Sequence, residues 1–230
     1  MLTSKTGDPE GAGTSEAGGA LDSSAATRDR ILEAAVAILE SAGEAGVKIR
    51  EVAALAGAAP TSIYYFFRSR EGLLEEALLE AYRRTLFSPF AMLRERIAQC
   101  RGREDMRQAF LDLIAFNTGP EGVLRRRQRK AVLGSAQMRP SLHRRIVEVH
   151  RQQNATFASL YHEAQAKGWL RGDVDLEAAM GWFIGLVSSR VMLEMDPDNE
   201  LQAREWDRLT REAIFAVAFG DTPAVKFRGE

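Results

Sequence analysis

The stretch IREVAALAGAAPTSIYYFF, residues 49–67, decides the fold. It reads as two short helical segments, Ile49 to Ala56 with Val52 and Leu55 inward and Pro60 to Phe67, separated by a break at Gly57. Glycine supplies the positive φ that lets a chain leave a helix at a tight turn. Proline suits the first helical position, because the N–H it lacks has no partner there. Two helices joined in this way let the second project into a DNA major groove while the first braces it across the backbone.

On the N-terminal side, helical spacing runs from Thr27, placed to cap the start, through Ile31, Ala35, Ile38 and Leu39 to a C-cap at Gly43. Residues 1–26 hold Gly7, Gly11, Gly13, Gly18 and Gly19 among small and acidic residues, a composition expected of a disordered tail. On the C-terminal side a longer helix is expected near Ser69, whose hydroxyl with Glu71 and Glu75 suits an N-terminus; it carries Leu73, Leu74, Ala77, Leu78 and Ala81 inward. Beyond Pro89 the spacing stays helical, interrupted at Gly119-Pro120, Pro140, Gly168 to Gly172 and Pro197. No strand or repeat signal appears, so the expected class is all-α. The expected domains are 1–26 tail, 27–81 helix-turn-helix, 82–220 larger helical domain and 221–230 flexible C-terminus.

The 230 residues carry a net charge of -1 and are 45% hydrophobic, which suits an ordinary packed core and gives no global attraction to a polyanion. Any nucleic-acid contact therefore depends on where individual groups sit. Residues 27–87 hold eight Lys or Arg against nine Asp or Glu, so binding through this segment rests on a few positioned groups and on dimerisation. The lone Cys100 cannot form an intramolecular disulfide, and no N-terminal apolar stretch resembles a signal peptide, so the expected location is the cytoplasm. The most apolar run, Ala178 to Val187, is too short to span a bilayer, and no membrane partner is expected.

Ile49-Arg50-Glu51-Val52-Ala53, Ala56-Gly57, Ile63-Tyr64, Phe67, Ser69-Arg70-Glu71 and Leu73-Leu74 together resemble the TetR family of bacterial regulators, over about Thr27 to Ala81. The resemblance implies a three-helix DNA-binding domain followed by a larger helical ligand-binding and dimerisation domain, and usually repression relieved by a small molecule. It further implies that Thr61, Ser62 and Tyr65 face the groove, that Tyr64 and Arg70 touch phosphates, and that Ile63 and Phe67 hold the helix to its domain. Arg50 and Pro60 complete the expected DNA-binding set. Hydroxyls and a guanidinium near helix N-termini suit phosphate oxygens. Ala59, Lys48 and Phe66 depart from the family's usual Ser, Thr or Ser, and His; the first two remove N-caps, each worth about 0.5–2 kcal/mol.

In the larger domain, the segment Leu176 to Met192 is apolar almost all round, and Leu201 to Phe219 adds Trp206, Leu209, Ala213, Ile214, Phe215 and Val217. A soluble helix of that kind is covered on both sides, and the family pairs these two helices across a dimer interface. Gly181 and Gly185 would permit close approach there. The segment Ser141 to Lys167 sets an apolar face beside a mixed stripe with His150, Asn154 and Tyr161, and Arg103 to Asn117 offers an opposite wall. The expected ligand residues are Phe110, Ile114, Asn117, His150, Asn154, Phe157 and Tyr161, because ligand pockets combine apolar walls with a few polar groups. Arg125, Arg126, Arg127, Arg129 and Lys130 read as a solvated helix face, with contact to DNA or to an acidic ligand as alternatives.

An enzyme is the competing class. His143 and His150 lie about 10.5 Å apart along a helix, Cys100 has no activating partner, and no phosphate loop or defensible acid pair appears, so no catalytic residue, cofactor or metal is expected. A helical adaptor is a third class, and it leaves the exposed tyrosines and Arg70 unexplained. The reading is a DNA-binding regulator, dimeric on a palindromic operator and released by an apolar or amphipathic ligand; an activator or a ligand-independent DNA-binding protein of the same fold is the alternative.

Overall fold

The computed structural model describes residues 14–196, 198 and 200–221, with side chains from residue 24 onward. It is helical: α1 Thr14–Gly46, α2 Ile49–Ala56, α3 Pro60–Phe67, α4 Arg70–Phe87, α5 Phe90–Ala98, α6 Arg103–Thr118, α7 Pro120–Ala136, α8 Pro140–Ser159, α9 His162–Ala166, α10 Leu176–Ser189, a 3-10 helix Arg190–Met195, and α11 Glu200–Phe219. Among the described residues there is no strand. The chain divides into a unit ending at Leu78 and a second beginning at Leu79, with α4 running through the division.

In the first unit, α1 packs on α2 and α3 through Ile31, Ala34, Ala35 and Val36, which meet a core with Val52, Ala53, Ile63, Phe67, Leu73, Leu74 and Ala77. The helix begins at Thr14, upstream of the expected Thr27 cap, so residues 14–26 lie in α1. This segment includes Ala17, Ala20, Ala25 and Ala26 and no proline, which suits continuous helix. The tail expected over residues 1–13 lies outside the described residues. Gly43 takes φ 68 and ψ -173, kinking α1 where the C-cap was expected. Leu55 was expected to face inward and is instead exposed; Val52, Ala53 and Ala56 carry the buried face of α2. With only two turns, α2 buries a narrow stripe, and Leu55 falls outside it.

The second unit gathers Leu93, Met106, Phe110, Leu113, Phe157, Tyr161, Leu176, Met180, Ile214 and Phe219 into one core. Its helices start and stop where the sequence dictates. Pro120 and Pro140 open α7 and α8, Gly168 turns the chain at φ 71, and the Asp175 carboxylate caps α10 by accepting from the Ala178 N–H at 2.7 Å. The helix expected from Ser141 to Lys167 is broken at residues 160–161. There Leu160 and Tyr161 donate to carbonyls three residues back, tightening the turn as the Tyr161 ring enters the core. Asp221, expected in a flexible end, pairs with Arg107 and Arg103.

Leu176–Met195 forms 20 consecutive helical residues, long and apolar enough by length and composition to cross a membrane, which corrects the expectation that no stretch is. Arg190 and Glu194 within it form ion pairs.

Candidate functional site

The turn between α2 and α3 has the backbone its residues predict. Gly57 sits in the left-handed region at φ 60 and ψ 39, and its N–H closes on the carbonyls of Ala53 and Ala54. Pro60 occupies the first turn of α3, and neither Lys48 nor Ala59 supplies a side-chain cap, as their lack of a short oxygen-bearing side chain dictates. On α3, Ile63 and Phe67 lie buried four residues apart and dock the helix, with the Arg28 guanidinium 5.2 Å from the Phe67 ring centre. That docking turns the opposite side outward. Tyr64 is 52% and Tyr65 71% exposed, Thr61 is exposed and Ser62 half-buried, while Phe66 packs edge-on to Tyr65. Arg50 on α2 is exposed as well.

Arg70, expected to touch a phosphate, also makes bonds within its own unit. Its Nε donates to the Val47 carbonyl and its Nη2 to the Glu44 carbonyl, both at 2.7 Å, at the C-terminal end of α1. The Glu44 carbonyl also accepts from the Val47 N–H at 3.2 Å, and a cation beside this end of α1 is favoured by the helix dipole. The guanidinium thus closes the end of α1 through Nε and Nη2. The Ser69 hydroxyl accepts from the Gly72 N–H at 3.0 Å and caps α4, as its sequence position suggests.

In the second unit the structure separates the expected ligand residues into groups. Phe110 and Tyr161 border a cavity of about 30 Å³, walled further by Leu170, Met180, Phe183 and Ile214. Asn117 and Phe157 border another of about 30 Å³, together with Thr85, Leu86, Arg129, Gln153 and Val187; Met180 and Phe183 are common to both. Ile114 belongs to the core and borders neither cavity. Asn154 also stands outside both, against Gly181, where an added Cβ would come within 3.2 Å of its Nδ2. Gly181 thus serves the close approach of α10 to α8 inside the subunit, not between subunits. His150 is hydrogen-bonded through Nε2 to the Tyr82 hydroxyl. Burial and the nearby Arg129 hold its imidazole below the usual range, and burial pushes the Tyr82 phenol up to about 12, so both groups are neutral near pH 7.

The basic run on α7 is not one solvated face. Arg127 and Lys130 are exposed, whereas Arg126 and Arg129 are buried. With 3.6 residues per turn, positions 126 and 129 share a side of the helix, and here that side faces the interior. Arg126 forms a buried ion pair with Glu194. Arg129 donates to the Ser188 hydroxyl and the Thr85 carbonyl, each at 3.0 Å, and among the described residues it pairs with no carboxylate. The expected solvated face, with DNA or an acidic ligand as alternatives, does not hold for these two; the signal for burial is their spacing three apart, in register with the buried Val132 and Ala136.

Phe215 also differs from expectation. It stacks with Phe219 and lies under the Arg107 guanidinium, so it belongs to the subunit's own core. The outward side of α10 carries Ala178, Trp182 and Gly185, and Leu209 is exposed on α11.

Residues 31–77 match the sequence model of the bacterial regulatory proteins of the tetR family. No curated protein matches the chain. Among solved structures, a tetR-family transcriptional regulator from Mesorhizobium loti superposes with a TM-score of 0.64 at 21% identity, over 85% of this chain and 98% of that one. A transcriptional regulator from Saccharomonospora viridis, crystallised with choline, gives 0.56 at 20% identity, over 83% and 96%. The regulator FadR from Bacillus subtilis, crystallised with stearoyl-CoA, gives 0.51 at 17% identity, over 81% and 99%. The resemblance drawn from the helix-turn-helix residues agrees with the family model matched over residues 31–77, and the fold is TetR-like, with an N-terminal helix-turn-helix domain and a helical C-terminal domain.

Proposed function

We propose that the protein is a cytoplasmic transcriptional repressor that binds a palindromic operator as a homodimer and is released by a small apolar or amphipathic molecule. The observation that carries DNA binding is α3 itself. Its inward residues, Ile63 and Phe67, hold it firmly, while Thr61, Tyr64 and Tyr65 point outward with nothing in their own unit to satisfy them. Thr61, Ser62 and Tyr65 read base edges, Tyr64 and Arg50 contact phosphates, and Pro60 sets the start of the helix. Selection from random duplex DNA tests this: enrichment of a two-armed palindrome is expected, and no enrichment overturns it. Within the enriched site, Thr61→Ala and Ser62→Ala should change base preference, whereas Tyr64→Phe should weaken all sequences alike.

Arg70→Ala provides a contrasting outcome. Removal of two charge-assisted bonds to the end of α1 should cost on the order of 2 kcal/mol in urea unfolding. The slope of operator affinity against salt should stay unchanged, because no phosphate contact is lost. A slope shallower by about two per dimer would return Arg70 to the DNA.

Dimerisation is assigned to α10 and α11, whose exposed Trp182, Gly185 and Leu209 would meet the same residues across a twofold axis. Ligand release is assigned to the second unit. Two related folds were crystallised with small molecules, and the described residues of this unit enclose an apolar cavity and a neighbouring one with a mixed lining. Thr85 and Leu86, near the end of α4, border one of them, and α4 is the helix that follows α3 in the chain. A near-complete switch requires on the order of 5 kcal/mol of differential affinity between two arrangements.

A further inference from the structure

We infer that the cavity bordered by Arg129 and Gln153 binds the head of an organic carboxylate, whose apolar body extends past Met180 and Phe183. The inference rests on the ligand-release reading above and gives that ligand its chemical class.

Arg129 is 7% and Gln153 3% exposed, and both border the same cavity. Among the described residues the Arg129 Nε hydrogen is buried without a hydrogen-bond partner; so is the Gln153 Oε1, an acceptor that a carboxylate leaves unpaired. Burial lowers the guanidinium's pKa to about 10, so it still carries its charge near neutral pH. A buried cation without a counter-ion is unfavourable unless something compensates it. The neighbouring charges do not: Arg125 and Arg126 add like charge, Arg126 takes Glu194 for itself, and Tyr82 and His150 are neutral. The Ser188 hydroxyl and Thr85 carbonyl occupy Nη1 and Nη2 but bring no formal charge. A planar guanidinium in an apolar wall is matched by a carboxylate, which accepts from it directly. The Asn117 amide on the same wall donates to the Leu113 carbonyl at 2.8 Å and retains a second N–H.

The size and lining complete the specification. A cavity of about 30 Å³ suits a head group rather than a whole ligand. Leu86, Leu113, Phe157, Ile184 and Val187 supply the apolar part of its wall. Met180 and Phe183 stand between it and the cavity lined by Phe110, Leu170 and Ile214. Rotation of these two flexible or half-buried side chains would join the cavities into a slot that is cationic at one end and apolar along its length.

Calorimetric titration of the full-length dimer, without DNA, with decanoate, decanol and decylammonium tests the inference. Decanoate should bind at least tenfold more tightly than decanol, and decylammonium should not bind. Arg129→Met should remove that preference and weaken decanoate roughly ten- to a hundredfold, the worth of a lost charge-assisted bond. Because it deletes an uncompensated charge, Arg129→Met should melt at the same temperature as the parent or higher. A structural arginine would give the opposite shift. Gln153→Leu, which leaves Arg129 in place, should keep the preference for decanoate over decanol. Equal binding of decanoate and decanol to the parent protein, binding of neither, or an undiminished preference in Arg129→Met overturns the inference. Decanoate that binds with this selectivity yet leaves operator affinity unchanged supports the site and defeats release by ligand instead.

Discussion

Glu194→Ala is expected to destabilise the second unit by about 3–5 kcal/mol, the cost of removing one partner from a buried ion pair. Glu194 Oε1 accepts from Arg126 Nε at 2.8 Å and from Arg190 Nη1 at 3.1 Å, with Arg126 Nη2 on the same oxygen. The side chains of Arg126 and Glu194 are 2% and 7% exposed. Loss of the carboxylate strands Arg126 inside, with only the Asn117 carbonyl left to accept from it. Arg190 is less affected, because Asp207 accepts from its Nε and Nη2 at 2.7 and 2.9 Å. The double replacement Arg126→Met with Glu194→Leu should recover most of the loss, since well-packed apolar residues replace a buried pair at little cost. Urea unfolding of the single and double variants measures both terms. A single-variant loss under about 1 kcal/mol would mean that water reaches Arg126 and that the pair is not buried in solution. The comparison with Arg129 is direct: one buried arginine has a protein carboxylate and the other has none, so their removal should shift stability in opposite directions.

That contrast also marks what the sequence could convey. The helix-turn-helix was legible because its determinants are local: Gly57 for a left-handed turn, Pro60 for a helix start, and Ile63 and Phe67 four apart for docking. Helix boundaries in the second unit were legible for the same reason, at Pro120, Pro140 and Gly168. Residue roles that depend on distant partners were not. Arg70 reads as a DNA contact, and its bonds to Val47 and Glu44, 23 and 26 residues away in sequence, emerge only in the fold. Arg126 and Arg129 sit in a run whose composition says surface, and only the arrival of Glu194, Ser188 and Thr85 from other helices makes an interior position tolerable. Of the cavity linings, the aromatic and amide side chains on α6 and α8 stood out by their helical spacing, whereas Arg129, which borders one cavity from α7, did not.

Gly185→Arg is expected to convert the dimer to monomer and to weaken operator binding about 10²–10⁴-fold, the range by which linking two binding modules exceeds one alone. An added Cβ at Gly185 meets nothing within 4 Å, and the position is exposed on α10. The arginine therefore projects away from its own subunit. In a helix interior, replacing glycine should even favour folding of the monomer by about 0.5–1 kcal/mol, because glycine loses the most backbone freedom there. Any loss of function is then not a loss of fold. Across a twofold axis the two new guanidinium groups approach one another in an apolar contact, where neither bulk nor like charge is accommodated. Gly181→Arg gives the internal control. Its Cβ would press on Asn154, so it should disturb packing of α10 on α8 and lower the melting temperature. Sedimentation should show Gly185→Arg as monomer at micromolar concentration while its unfolding midpoint equals or exceeds that of the parent. A Gly185→Arg protein that remains dimeric and binds operator as tightly as the parent would place the interface away from this face of α10.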